Sequence, residues 1–278
     1  IQIGGLGVVT VTVSVTLLSG KKISLMQRTT MQDAIAAPRI GGIVRLMKFI
    51  LKGTFLVELI GAVLLLPVFG KDFGVKGIWM SIFHSISAFC NAGFDILGTT
   101  KNTFPSLLQY AGNALVNVVI MLLIIIGGIG FLTWEDVCTN TYHFRRYRLQ
   151  SKIVLVTTAV LILLPSLFFF FWNFKNLAME ERLLASFFQA VTPRTAGFNT
   201  VDIGKMAEPA QTLIIILMLI GGSPSSTAGG MKTTTIAVLL LNAFATFRSK
   251  DTVSAFHRRI DNHVIRDAAT LLMLYVML

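Results

Sequence analysis

The chain has 278 residues, of which 54% are hydrophobic and only 13% are charged, and its mean hydropathy is +0.74. Soluble domains carry about 25% charged residues, so this composition excludes an ordinary soluble protein and predicts an all-α polytopic membrane protein. The 24 basic residues exceed the 13 acidic ones, but they lie between apolar stretches rather than on one soluble face, which argues against nucleic acid as a partner.

Apolar stretches in chain order predict the membrane spans, because about 20 residues of helix cross the hydrocarbon core. The long stretches are 1–18, 44–69, 109–132, 153–174, 210–247 and 264–278. Two shorter ones, 78–90 and 183–192, are predicted to be re-entrant or interfacial helices. Since the chain starts and ends within apolar stretches, we expect an internal piece of a longer protein. Cys90 and Cys138 fall in different elements and predict no disulfide framework.

Lysine and arginine counts predict the orientation of the spans. Segments 21–52, 134–152 and 248–266 hold seven, four and five of these residues, whereas the segments on the opposite side hold seven between them. The positive-inside rule therefore predicts that the first three segments are cytoplasmic. Lys232 is the one remaining basic residue, and it lies within a predicted span.

Two internal matches predict a repeated unit. Residues 1–10 match residues 124–133 around a Gly-Gly-x-Gly pattern, and residues 83–95 match residues 187–199 around Ala-Gly-Phe. The unit is a span, a short helix, Ala-Gly-Phe, a returning span and a basic loop. We expect the end of repeat 1 at 1–43, repeat 2 at 44–152, repeat 3 at 153–263 and the start of repeat 4 at 264–278, arranged pseudo-fourfold around a central pore.

The Ala-Gly-Phe stretches follow short helices at membrane depth, where irregular backbone is tolerated only against protein or a wet cavity. One solution is a pore loop whose carbonyl oxygens replace the hydration shell of a cation. A simple turn between two helices is the alternative, and its occurrence in two copies makes that alternative less favourable. Asp95 and Asn199 follow the two glycines and either raise the local cation concentration or cap the next turn.

The stretch 221–234, GGSPSSTAGGMKTT, interrupts an apolar run of helical length. It narrowly misses the phosphate-loop pattern, because Met231 stands where a glycine must precede the lysine, and it follows no strand. Its glycines and Pro224 predict a broken helix that forms a flexible constriction beneath the pore loop. The hydroxyls of Ser223, Ser225, Ser226 and Thr227 are expected to pair with freed backbone groups or ions.

The remaining polar residues support no catalytic or metal centre. His84 stands alone in a short helix and is expected to be a hydrogen-bonded structural histidine, and no base accompanies the serines of the broken stretch. Glu58 is an acid in mid-span and therefore a candidate functional residue. Lys232 lies near the expected cation path, with snorkelling to the interface or pairing with a carboxylate such as Glu58 as alternatives.

Residues 89–95, 192–200 and 221–235 carry a resemblance that extends over the whole chain. They resemble the filters and the intramembrane loop of the Trk/Ktr/HKT superfamily of potassium transporters, in particular its bacterial Ktr branch. The resemblance implies potassium binding at one group of residues: Asn91, Ala92, Gly93, Phe94, Thr195, Ala196, Gly197 and Phe198. It implies an intramembrane gate at another: Gly221, Gly222, Ser223, Pro224, Ser225, Ser226, Thr227, Ala228, Gly229, Gly230, Met231 and Lys232.

The resemblance further implies potassium uptake across a bacterial cell membrane, sodium as an activator, a homodimer and a cytoplasmic ring of nucleotide-binding RCK subunits. It implies no organic cofactor in this chain and no enzyme activity. An alternating-access cation transporter is the second hypothesis, because broken helices at mid-membrane also mark such proteins. The repeats run in the same sense, which favours a pore, and a membrane enzyme is the third hypothesis.

Overall fold

A computed structural model describes residues 1–7, 29–30, 32, 42–100, 103, 105–141, 143–250 and 252–277. The larger part of the predicted span 1–18 and most of residues 21–41 of the predicted basic loop lie outside the described residues, whereas residues 42–52 of that loop are described. The first described helix is α1 (Gln2–Leu6), which ends at Gly7.

The next two helices form a tight helical hairpin. Helix α2 (Ile43–Phe73) begins after Gly42 and ends at Gly74, and both glycines have positive φ. At 31 residues it is about 46 Å long, enough to cross a bilayer. Helix α3 (Lys76–Phe89) returns against it. The close turn requires Gly77, because a Cβ there would fall onto the Phe69 carbonyl.

The apolar stretch predicted to span at 109–132 is bent rather than straight. Helix α4 (Ala114–Gly128) begins at the cap of Asn113, whose Oδ1 accepts a hydrogen bond of 3.1 Å from the Val116 amide. Helix α5 (Phe131–Asn140) follows at an angle of 96° to α4. The break lies at the Gly-Gly-x-Gly pattern, where Gly130 has a φ of 91°.

The third unit repeats the same order. Helix α6 (Leu149–Phe168) continues into a π-helical turn (Phe169–Asn173) just after Pro165, whose missing N–H disturbs the helical ladder. Helix α7 (Met179–Val191) is the short helix, and Glu180 and Glu181 lie in its first turn, where acids favour the helix dipole.

The stretch predicted at 210–247 is two helices, α8 (Glu208–Leu219) and α9 (Thr233–Phe247), with an irregular segment between them. A two-stranded antiparallel hairpin, β1 (Ser254–Ala255) and β2 (Arg258–Arg259), leads to α10 (Asn262–Met277). Three-residue 3₁₀ turns lie at Leu108–Tyr110, Phe144–Arg146 and Ile203–Lys205.

The part of the chain that the structure describes is thus mostly helical, as the sequence predicts. It contains two helices that are long and apolar enough to cross a membrane, Ile43–Phe73 and Leu149–Asn173, and a third candidate if the bent α4–α5 pair is one span. The main apolar core joins α2, α3, α4 and α5 to the end of α7. There are two smaller apolar clusters. One packs α6 against α7 and α8, and the other packs α6 against α9, the hairpin and α10.

Candidate functional site

The two Ala-Gly-Phe stretches form matching turns at the ends of the short helices. Turn A (residues 91–94) follows α3, and turn B (residues 195–198) follows α7. In each turn the first residue and the glycine have positive φ: 50° and 68° for Asn91 and Gly93, and 65° and 86° for Thr195 and Gly197. A β-branched residue such as Thr195 rarely adopts this conformation, so the surrounding structure holds it in place.

A hydroxyl group of the preceding segment holds each turn at the same carbonyl. Ser87 Oγ donates to the Phe94 oxygen at 2.7 Å, and Thr192 Oγ1 donates to the Phe198 oxygen at 2.5 Å. In the alignment of residues 83–95 with residues 187–199, the donors Ser87 and Thr192 are offset by one position, whereas the acceptors Phe94 and Phe198 are aligned. The two repeats therefore fix the same backbone feature with similar chemistry.

Turns A and B lie in direct backbone contact. A Cβ added at Gly93 would fall onto the carbonyl oxygen of Ala196, and a Cβ added at Gly197 would lie 3.6 Å from the Gly93 Cα. The structure thus brings together the two stretches that the sequence singled out, although more than 100 residues separate them.

The membrane loop (residues 220–232) connects α8 to α9 and is held by its own hydrogen bonds. The Gly221 amide donates to the Met231 oxygen at 2.9 Å, and the Gly222 amide donates to the Gly229 oxygen at 3.3 Å. The two ends of the loop lie so close together that a Cβ at Gly221 would fall onto the Gly229 carbonyl. Gly221 therefore permits the close approach.

Hydroxyl groups contribute to the loop as the sequence predicts. Ser223 and Thr233 hydroxyls lie 2.9 Å apart within hydrogen-bond geometry, and Ser226 Oγ donates to the Ser223 oxygen at 2.7 Å. Thr227 Oγ1 donates to the Phe89 oxygen at the end of α3, at 2.8 Å. Ser226 and Thr227 thus satisfy two carbonyl groups, one within the loop and one at the end of α3, where intrahelical partners are lacking.

The membrane loop docks onto the bend between α4 and α5. The Ser223 amide donates to the Gly128 oxygen at 2.9 Å and the Thr227 amide to the Gly127 oxygen at 3.2 Å, while the Phe131 amide donates to the Ser225 oxygen at 2.7 Å. The bend frees these carbonyls and this amide from the helical ladder, and the loop supplies their partners. Two broken elements from successive repeats thus satisfy each other.

The membrane loop also reaches turn B. A Cβ at Gly230 would lie 3.4 Å from Thr195 Cγ2. At the other side, a Cβ at Gly127 would fall onto the Phe89 carbonyl and lie 2.8 Å from Thr227 Oγ1. Turn A, turn B, the bend and the loop therefore form one contiguous assembly.

Lys232 and Glu58 have other partners, so Glu58 is not the carboxylate that pairs with Lys232. Lys232 Nζ donates to the Ala228 oxygen at 2.9 Å, because the broken helix leaves this carbonyl exposed to it. Both carboxylate oxygens of Glu58 lie 2.9 Å from Gln2 Nε2. The Glu58 side chain is 5% exposed, and the Cys90 thiol lies 4.0 Å from its Oε1.

Asp95 and His84 have the structural contacts that the simpler sequence hypotheses predict for them. Asp95 Oδ1 accepts a hydrogen bond of 3.1 Å from the Leu97 amide, so Asp95 caps the next turn. His84 Nδ1 lies 2.7 Å from the Met80 oxygen, and the ring is buried against Phe69. This contact confirms the prediction that His84 is a hydrogen-bonded structural histidine.

Sequence reasoning missed Arg194, which immediately precedes turn B. Its side chain is only 4% exposed, and Nη2 reaches Thr158 Oγ1 of α6 at 3.4 Å. Among the described residues no carboxylate pairs with it; the ion pairs there are Arg148–Glu135 and Lys205–Asp202. The repeat alignment contained the signal, because it places this arginine opposite Cys90.

Apolar helices of spanning length and two short helices that end in matching turns are typical of a helical membrane protein. The family model described as TrkH, cation transport protein, matches residues 1–278. The chain belongs to this TrkH family, which confirms the resemblance and the prediction that the chain is not an enzyme.

Individual relatives and one solved structure give the extent of the match. The chain is 39% identical over 278 residues to the potassium/sodium uptake protein NtpJ of Enterococcus hirae, covering 98% of this chain and 60% of that protein. It is 39% identical over 276 residues to the Ktr system potassium uptake protein B of Bacillus subtilis, covering 95% and 60%. The crystal structure of the potassium transporter TrkH from Vibrio parahaemolyticus superposes with a TM-score of 0.68 at 17% identity, covering 98% of this chain and 54% of that chain.

The chain therefore spans about 60% of the length of these curated relatives. The structural match, at 17% identity, shows a shared fold.

Proposed function

We propose that this chain is the central part of a potassium-uptake protein whose ions pass through a channel-like pore. The observation that carries the proposal is the contact between turns A and B, with the membrane loop packed against turn B. Relatives of this chain are named for potassium or potassium/sodium uptake, which supports potassium as the transported ion and sodium as an activator or second ion.

In this proposal turns A and B supply half of a selectivity filter. The residues are Asn91, Ala92, Gly93 and Phe94 in one repeat and Thr195, Ala196, Gly197 and Phe198 in the other. In an extended strand successive carbonyls point in opposite directions, whereas alternating φ signs turn them towards one side. The alternation at 91–93 and at 195–197 supports a row of carbonyls that replaces the hydration shell of K⁺.

The membrane loop acts as the gate in this proposal, with residues 221–232 as its moving part. Residues 221–231 lie outside both helices, and only the Gly222 and Lys232 carbonyls accept backbone hydrogen bonds from the first turn of α9. Displacement of the loop therefore leaves both helices largely intact. Its bonds to the bend hold it in place, and their loss releases it. Lys232, tied to the Ala228 carbonyl, adds a positive charge that disfavours cations while the loop is docked.

The proposed architecture has four repeats around one pore, with boundaries at 1–43, 44–152, 153–263 and 264–278. The full protein would form a homodimer in a bacterial cell membrane, with a ring of nucleotide-binding RCK subunits on its basic cytoplasmic face. A relative is named as part of a Ktr system, which supports such a partner. Anionic lipids are the other expected contact of the basic loops.

An alternating-access transporter is the second candidate. The broken elements at 127–130 and 220–232 support it, because such breaks form mid-membrane sites in transporters. The two candidates differ in rate and in kinetics: a pore conducts many ions per opening, whereas a transporter moves a fixed number per conformational cycle.

Ion uptake by the full-length protein tests the proposal. We expect that deletion of residues 223–229 raises potassium or rubidium uptake in potassium-deficient cells and weakens its regulation. The deletion also removes partners of the α4–α5 bend, so membrane insertion and thermal stability are measured beside it. Unchanged uptake by a correctly inserted deletion variant contradicts the gate, and uptake that saturates at transporter-like turnover favours the second candidate.

A further inference from the structure

We propose that a basic cavity beside the spans binds the phosphate group of an anionic lipid. The cavity has a volume of about 600 Å³ and lies between the segment that follows α5 and the β1–β2 hairpin. Its lining residues are Phe144, Arg145, Lys152, Phe256, His257 and Arg258. Among these described residues none is acidic, and three carry a permanent positive charge at neutral pH.

Lys152 forms the back of the cavity. The residue is 9% exposed, and its Nζ donates to the Arg145 oxygen at 2.8 Å. Nζ also lies 5.8 Å from the centre of the Phe144 ring and 5.9 Å from that of the Phe256 ring. An ammonium group has three donors, and in the described part of the chain only one has an oxygen partner. The other two are available to an anionic ligand.

The hairpin turn is strained in a way that shapes the cavity. Phe256 and His257 have φ values of 49° and 63°, a combination that two-residue hairpins normally assign to Asn-Gly. Bulky residues persist in such a conformation only where the surroundings determine it. The Phe256 ring packs edge-on against Phe144 at 6.0 Å between centroids and closes one wall.

The underside of the hairpin is anchored independently of this wall. Val253, Ala255 and Ile260 are buried in the apolar cluster that includes α6 and α9. The strained turn is therefore not needed to attach the hairpin to the protein. The turn instead holds the Phe256 ring and the basic side chains of His257 and Arg258 around Lys152.

The position of the cavity favours a lipid over a soluble anion. Lys152 lies in the first turns of the spanning helix α6, and Arg258 lies four residues before α10 begins. Basic pockets at the ends of spans on the cytoplasmic side are typical headgroup sites, and lysine and arginine are the usual ligands of phosphate. Arg146 and Arg259 are adjacent in sequence but do not line the cavity.

Lipid binding by the full-length protein in nanodiscs tests the proposal, with graded phosphatidylglycerol in phosphatidylcholine and bound lipid counted by native mass spectrometry. We expect Lys152→Gln and Arg258→Gln each to weaken phosphatidylglycerol binding roughly five- to tenfold, because each variant removes about one charged contact with the phosphate group. The matched controls Arg146→Gln and Arg259→Gln should change it less than about twofold, because neither side chain lines the cavity. Equal losses in all four variants would indicate diffuse attraction and overturn the site.

A turn variant separates binding from folding. Replacement of Phe256 by Asn together with His257 by Gly relieves the turn and removes one wall, so the melting temperature should stay or rise while phosphatidylglycerol binding falls. Unchanged binding in this variant contradicts the role of the turn.

A Lys152-dependent thermal shift caused by millimolar inorganic phosphate or ATP in phosphatidylcholine discs overturns the lipid assignment in favour of a soluble anion. Loss of a protein partner in Lys152→Gln with unchanged lipid binding overturns it in favour of an acidic protein surface.

Discussion

The two units that contain turns A and B, the proposed repeats 2 and 3, break their returning helices in different ways, and the two breaks are complementary. In repeat 2, α4 turns by 96° into α5 over a few residues. In repeat 3, thirteen residues separate the end of α8 from the start of α9. The short break frees backbone groups without supplying partners, and the long break supplies them. One insertion therefore stabilises two repeats at once.

The repeats also differ in the charge behind their turns. Cys90, which precedes turn A, lies 4.0 Å from the Glu58 carboxylate of α2. Arg194, at the equivalent position before turn B, reaches the Thr158 hydroxyl of α6. The acidic Glu58 therefore lies near turn A and the basic Arg194 lies next to turn B. Among the described residues neither of these two side chains has an oppositely charged partner. The side chains beside the two turns therefore differ in chemical type although the backbones of the turns match.

The largest expected difference between the repeats concerns their glycines. Gly93→Ala places a methyl group onto the Ala196 carbonyl at a residue with positive φ, at a cost of roughly 3 kcal/mol or more. Gly197→Ala meets only ordinary contacts and costs about 1–2 kcal/mol. We expect Gly93→Ala to abolish selective rubidium uptake and Gly197→Ala to lower the preference for potassium over sodium.

Gly229→Ala is the control for this pair, because nothing lies within 4 Å of its added Cβ and its φ is not positive. It should leave selectivity unchanged. Equal selectivity in Gly93→Ala, Gly197→Ala and the parent protein would contradict the assignment of both turns to the filter.

The next largest effect concerns the two glycines at the end of α4. Gly127→Ala drives a methyl group into the Phe89 carbonyl and Thr227 and should cost about 1–3 kcal/mol. Gly128→Ala reaches only Asn91 Nδ2 at 3.4 Å and should be close to neutral. We expect faster uptake and a lower melting temperature in Gly127→Ala alone. The same shift in both variants would mean that the loop does not depend on this contact.

Arg194 tests the electrical difference between the turns. Gly197 lies three positions after Arg194, so the charge lies within about 15 Å of the filter. One unit charge at that distance contributes about 1 kcal/mol at an effective dielectric constant of about 20. Arg194→Met keeps the apolar volume and removes the charge, and Arg194→Lys keeps the charge. We expect a roughly fivefold lower KM for potassium in Arg194→Met, with Arg194→Lys near the parent value. Identical KM values would exclude an electrostatic role.

The sequence predicted the helices, the short helices and the turns because each has a local signal. Span length marks α2 and α6, and the Ala-Gly-Phe pattern marks turns A and B. Glycines and Pro224 located the membrane loop for the same reason. Periodicity and composition also placed Lys232 and Glu58 within spans, but they gave no partners for either residue.

The bend at 127–130 and the partners of the polar residues could not be derived in this way. Gly-Gly-x-Gly is compatible with a straight apolar helix. Its bend depends on the hydrogen bonds that Ser223 and Thr227 donate and the Ser225 carbonyl accepts, about 100 residues away. Gln2 likewise reaches Glu58 from a different repeat. Long-range pairings of this kind have no sequence period, so they appear only in the folded chain.

The most direct test of the account is the initial rate of rubidium uptake by the full-length protein carrying Thr227→Val. Valine keeps the shape of threonine but cannot donate to the Phe89 carbonyl, and the loss of this bond costs about 1 kcal/mol of docking, which corresponds to about a fivefold shift towards the released loop. We expect faster uptake in Thr227→Val and the parent rate in Thr227→Ser, which keeps the hydroxyl. Equal rates in both variants, with equal amounts of protein in the membrane, would contradict the claim that the loop docked on the bend closes the pathway.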